Sequence, residues 1–244
     1  MKQAALRIAG LSPNVDVLKQ NNFMRQLART DVLKSAITLA TISAVLCLPR
    51  LWLWPARKYP LWYLEALLLL GGTVLWAFVF AWHTKYTSRP VFSLSVPPAT
   101  LALATIAAIA TAVLLTMTLD PSLQTAAPED YPKSFSQWLA ITLFSLAFTQ
   151  MFLVFAPFAW LMRLFKNQTI AVAFTIVFGL CVALLRDRSS LSPLPSDLLT
   201  KLLLARAVTS LLTLYFYLRA GVLLAWLFVL LTLSRHLFLL QAHR

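Results

Sequence analysis

FTQMFLVFAPFAWLMRLFKNQTIAVAFTIVFGLCVALL, residues 148–185, decides the fold. It reads as two apolar helices joined by the short basic turn from Arg163 to Asn167. Crossing the hydrocarbon layer takes about 20 mostly apolar residues per helix; the second half supplies nearly such a run, and the first completes one that begins upstream at Gln137. Thr149-Gln150 lies in the middle of the first helix, Val154 follows one turn later, and Phe178-Gly179-Leu180-Cys181-Val182 closes the second.

The whole chain has the same character. Of its 244 residues, 60% are hydrophobic and only 12% charged, which excludes an ordinary soluble core and marks a polytopic membrane protein. The net charge of +13 would suggest nucleic acid if it formed a soluble patch. Instead most lysines and arginines sit at the ends of apolar runs, where they anchor helices against anionic headgroups. The expected environment is therefore the lipid bilayer, with no nucleic-acid partner. The two cysteines, Cys47 and Cys181, lie inside apolar runs and read as small buried hydrophobes.

Two regions are expected: a basic leader, 1–34, and a transmembrane domain, 35–244. The leader lacks an n-region running directly into an apolar segment, so it is expected to be retained. Within it, Val17, Leu18, Phe23, Met24 and Leu27 are interleaved with Lys19, Arg25 and Arg29, the pattern of a helix in the headgroup plane. A solvated, partly disordered leader is the alternative.

Seven spans follow: Ser35 to Trp54, Leu61 to Trp82, Thr100 to Leu119, Gln137 to Leu161, Thr169 to Leu185, Leu198 to Leu218 and Val222 to Leu240. Lys201 and Arg206 intrude on the sixth, leaving open six spans with a re-entrant or interfacial 198–218 segment. Gly71-Gly72 allows a kink or a close helix contact in the second span. The third is studded with alanines, and the face carrying Ala104 and Ala108 is expected to contact a partner subunit. The acidic loop from Asp120 to Ser136 opposes a leader rich in Lys and Arg, which puts the N-terminus in the cytoplasm and that loop outside.

Intramembrane ionisable residues are the first places to look for function, and they are scarce. Glu65 lies about one turn inside the second span, where it can pair with Arg57 or Lys58 at the interface; Glu129 belongs to a loop. Thr142, Ser145 and Thr149, with Gln150 beside them, form a polar stripe suited to interhelical hydrogen bonds. The Gln150 amide has no titratable proton near neutral pH and cannot replace a carboxylate base. Pro157 is expected to kink this helix. The three histidines, His83, His236 and His243, show no metal-site spacing, and His83 and His236 read as interfacial anchors. No metal or cofactor motif is present, so the apolar helices offer contact to a lipid or a pigment rather than a dedicated cofactor site.

The order of these features resembles the CPBP family of intramembrane proteases, which includes the CAAX prenyl endopeptidases and bacteriocin-immunity-type membrane proteins. The family's Glu-Glu-x-x-x-Arg would fall on Thr149, Gln150 and Val154, its Phe-x-x-x-His on Phe178 and Val182, and its His-x-x-x-Asn on Leu230 and Ser234. Tyr217-Leu218-Arg219-Ala220-Gly221 precedes the last of these. The resemblance implies an all-α bundle with a CPBP-like core. At these positions the family keeps a base, a metal or water ligand, or an oxyanion donor, and this chain carries Thr, Gln, Val, Leu or Ser.

The expected function is accordingly that of a non-catalytic accessory or binding subunit in a larger complex, in a bacterial cytoplasmic membrane. Helix packing is assigned to Ala104, Ala108, Gln150, Gly179 and Gly221. Two alternatives stay open: an active protease whose acid and base have migrated to Glu65 and His236, and a small permease. The lack of internal repeats speaks against the permease.

Overall fold

The computed structural model describes residues 30–53, 59–87, 91–93, 95–128, 131–188 and 194–242. Among them the chain is an all-α bundle: α1 (Thr30–Trp52), α2 (Leu61–Thr87), α3 (Pro98–Thr118), α4 (Asp120–Ala126), α5 (Phe135–Phe165), α6 (Gln168–Arg188), α7 (Ser196–Ala220), α8 (Val222–Leu233) and α9 (Arg235–Ala242). Six of these, α1, α2, α3, α5, α6 and α7, are long and apolar enough to cross a membrane, and this is an integral membrane protein. Nearly all of the leader, the Pro55 to Lys58 turn, Glu129 and His243 lie outside the described residues. Helix α1 begins at Thr30, ahead of the boundary at Ser35.

The segment 198–218, expected as the sixth span with a re-entrant course left open, lies within a full-length helix, α7. The short element is instead the last, where Val222–Phe238 is interrupted at Ser234. Helix ends follow ordinary local chemistry. Pro98 occupies the first turn of α3, where its missing N–H costs no hydrogen bond. The Ser134 hydroxyl accepts from the Gln137 N–H at the start of α5. Lys166 at φ 53° ends α5, and the Asn167 side chain accepts the Ile170 N–H at 3.1 Å to start α6, giving a two-residue turn.

In lipid, helices gain little from apolar contact itself, so close packing and hydrogen bonds hold the bundle. Gly72 lets α2 approach α1: a Cβ there would lie 3.5 Å from that of Ala40. Trp76 Nε1–H donates to Ser43 Oγ across the same interface at 3.2 Å. Ala104 and Ala108 are fully buried in a cluster with Phe216, Ala220, Leu224 and Phe228. The small face of α3 is thus used inside the chain, correcting the expectation that it serves a partner. Around Gly179, by contrast, a Cβ would meet nothing within 4 Å, so no helix is packed close against it. Cys47 is buried, whereas Cys181 lies on the exposed side of α6 rather than in the interior.

The turn between α7 and α8 is clasped to the link before α3. Gly221 adopts φ 79° and ψ −167°, Val222 N–H donates to the Val91 carbonyl at 2.9 Å, and Phe92 forms an isolated bridge with Gly221. That φ/ψ combination is essentially restricted to glycine. The remaining core is aromatic: Trp76, Phe92 and Trp226 pack edge to face or tilted, with centroids 6.0–6.4 Å apart.

Candidate functional site

Helix α5 departs from α-helical geometry in its middle. Ser145–Thr149 and Met151–Phe155 are two π-helical turns flanking Gln150, and their closing bonds run from Gln150 N–H to the Ser145 carbonyl and from Ala156 N–H to the Met151 carbonyl. Pro157 follows immediately. Its ring crowds the carbonyl four residues back and it donates no hydrogen bond, so a widened turn upstream accommodates it. Such turns occur frequently at functional sites.

The irregular stretch faces a cavity. Ser145, Thr149, Gln150, Leu153 and Val154 line a chamber of about 280 Å³, closed on its other sides by residues of α3, α4, α6, α7 and α8. Six of its lining residues, among them Ser145, Thr149, Arg206 and Arg235, also line a vestibule of about 600 Å³, so the two spaces adjoin. The vestibule gathers the C-terminal ends of α1 and α6, the N-terminal ends of α5 and α7, and His236 just beyond α8. All these ends lie on the same side of the bundle as α4 and Tyr131.

The polar groups divide by depth. At the mouth stand Arg50, Arg186, Asp187 and His236. Asp187 accepts the Leu194 N–H at 3.0 Å, bracing the approach to α7. Arg235 Nε donates to Asp120 Oδ2 at 2.9 Å and Arg235 NH1 to the Thr232 carbonyl at 3.0 Å, while the Tyr131 hydroxyl donates to Asp120 Oδ1 at 2.8 Å. Deeper, Arg206 lies ten residues into α7, about 15 Å along its axis and near half the thickness of a hydrocarbon layer. Thr209, Thr213 and Thr232 donate their hydroxyl hydrogens to carbonyls of their own helices and so turn acceptor oxygens to the chamber. Gln150 Oε1 is buried without a hydrogen-bond partner.

The family-motif positions separate. Thr149, Gln150 and Val154 share the chamber with Gly179. Phe178 faces away, lining an apolar lateral groove with Phe152 and Trp160. Val182 is half-buried on α6 outside the chamber lining, Leu230 is exposed, and the Ser234 hydroxyl donates to the Leu231 carbonyl at 2.6 Å. Of the polar stripe, Ser145 and Thr149 reach the chamber, whereas Thr142 is buried outside its lining.

His236 lines the vestibule against the Tyr131 ring, and Glu65 lines neither space. His83 is buried, its ring 4.6 Å from that of Tyr217, which corrects its reading as a surface anchor. Lys201 is exposed, so of the two charges intruding on α7 only Arg206 belongs to the cavity. Its charge within an apolar run was the available sequence signal. Among the described residues no three His, Cys, Asp or Glu side chains assemble as a metal site. Compared with protein-family models, with curated proteins and with solved structures, the chain finds no match.

Proposed function

We propose that this chain is a non-catalytic integral membrane protein, with a CPBP-like core, that acts as a binding or accessory subunit of a larger membrane complex. One observation carries the reading. Among the described residues, the chamber beside Thr149 and Gln150 is lined by hydroxyls, an amide, two arginines and apolar groups, without a carboxylate, imidazole or thiol. Arginine stays protonated and amides and hydroxyls do not titrate near neutrality, so such a chamber can hold a ligand but cannot exchange protons with one. The apolar wall of the chamber offers contact to a lipid tail or a pigment, and the lipid-facing helices offer contact to a partner helix. In this proposal the membrane is a bacterial cytoplasmic one, the N-terminus is cytoplasmic, and the vestibule opens on the opposite face.

Extraction in a mild detergent, followed by sizing and incubation with prenylated and transmembrane peptides, tests it. A stoichiometric partner and intact peptides are expected. A solitary protein that cleaves them, with cleavage lost in Glu65→Gln, would overturn the proposal.

A further inference from the structure

We infer that the lateral groove between α2, α5 and α6 holds an acyl chain of an anionic phospholipid, whose phosphate head sits at Lys85 and Lys166. This groove lies apart from the chamber and the vestibule and shares no lining residue with either.

Its shape selects a hydrocarbon chain. Phe78, Phe152, Trp160, Phe174 and Phe178 line a recess of about 460 Å³ in which every lining residue is apolar. Phe152 meets Phe178 edge to face at 5.9 Å, so the wall between α5 and α6 is already assembled. Along α5 the lining runs from Phe152 to Leu161, about 13 Å at 1.5 Å per residue. A membrane helix is roughly twice as long and about 10–12 Å wide, and helices in lipid close on small residues. Trp160 and Phe174 line the groove yet remain half exposed, bulk that holds a second backbone off and leaves room for a chain.

Charge selects the head. Lys85 is two helical turns beyond Phe78, hence on the same face of α2 and about 10 Å further along its axis. Lys166 ends α5 six residues beyond Trp160, about 9 Å along that helix. Arg163 lies over Trp82 at 5.0 Å, which brings these two helix ends together. Both lysines are exposed, and Lys85 Nζ lies 5.7 Å over the ring of Tyr86. Neither is in an ion pair, and among the described residues the carboxylate at this end of the bundle is that of Asp31, in the first turn of α1, which is itself engaged. A phosphate at the level of these two ammonium groups puts its glycerol and ester groups over the helix ends and its chain in the groove, the depth order of a lipid in its own leaflet.

The test uses the purified full chain in phosphatidylcholine nanodiscs doped with phosphatidylglycerol of the same acyl chains, read by native mass spectrometry. Phosphatidylglycerol should be retained about tenfold more than phosphatidylcholine, the effect of two lysines on an anionic head. Lys85→Gln combined with Lys166→Gln should erase that preference. Val177→Trp, which fills the groove from a half-exposed position on α6, should abolish retention of both lipids. Ile106→Trp, an equally exposed change on α3 outside the groove, should retain phosphatidylglycerol as wild type does. Should Val177→Trp fail to fold, the lysine pair, exposed at the helix ends, still decides the matter. Equal retention of the two lipids by wild type, wild-type retention in either folded variant, or a photoreactive phenylalanine at position 174 that crosslinks to protein instead of lipid would overturn the inference.

Discussion

Arg235 and Asp120 are 115 residues apart in sequence, and their side chains meet at 2.9 Å in the vestibule wall. The carboxylate is 1% exposed and the guanidinium 14%, so each is the other's principal counter-charge. Removing one member leaves a buried charge unpaired, which costs about 3–5 kcal/mol, whereas replacing both with apolar groups is far milder. Asp120→Asn should therefore melt well below wild type in detergent, and Asp120→Leu combined with Arg235→Met should recover most of the loss. Equal melting of Asp120→Asn and wild type would show that the pair does not brace the wall.

Gly221→Ala should destabilise by about 1–3 kcal/mol, because φ 79° with ψ −167° is a region that side chains with a Cβ avoid. Unfolding followed by tryptophan fluorescence measures this directly, since Trp226 follows one turn later and packs on Phe92 of the clasped link. An unchanged midpoint would mean that the turn relaxes at no cost.

Ala104→Leu and Ala108→Leu should each lower stability by about 1–3 kcal/mol through overpacking against the cluster with Leu224 and Phe228. Thermal melting of the isolated chain reads this effect. Variants that melt normally but release a partner would restore the intermolecular role first expected of this face.

In a background of Cys47→Ala and Cys181→Ala, an impermeant thiol reagent should label Ser122→Cys only from outside and Lys166→Cys only from the cytoplasm. Ser122 is exposed on α4 beside the vestibule, and Lys166 occupies the opposite turn. Labelling of Ser122→Cys from the inside would invert the topology.

Gln150→Ala should leave peptide cleavage at background, as should Glu65→Gln, because the Gln150 amide does not titrate and Glu65 lines neither the chamber nor the vestibule. An assay with a prenylated peptide measures it. Cleavage above background that vanished in either variant would count against a binding role.

The spans were legible because hydropathy over about 20 residues is a one-dimensional signal, and the helices overrun the expected ends by only a few residues. What failed was rotation about each axis. Apolar residues face lipid and protein alike in a membrane, so nothing in the sequence said that Ala104 turns inward or Cys181 outward. The π turns on either side of Gln150 shift the helical register from Ser145 onward, which spacing alone does not reveal; Ser145 and Thr149 line the chamber and Thr142, in the regular helix before them, does not. Arg206 was visible as an intruding charge; that it shares a cavity with Thr149 depends on how α7 packs, which sequence spacing does not encode.

The clasp of Val222 onto Val91 fixes an order of assembly during synthesis. The link that enters α3 is translated roughly 130 residues before its partner, a delay on the order of ten seconds at ordinary elongation rates. Throughout that interval the inward face of Ala104 and Ala108 lacks Leu224 and Phe228, two of the side chains it packs against. Arrival of the last apolar segment then closes the aromatic core, the alanine seam and the arginine-lined vestibule in one late event.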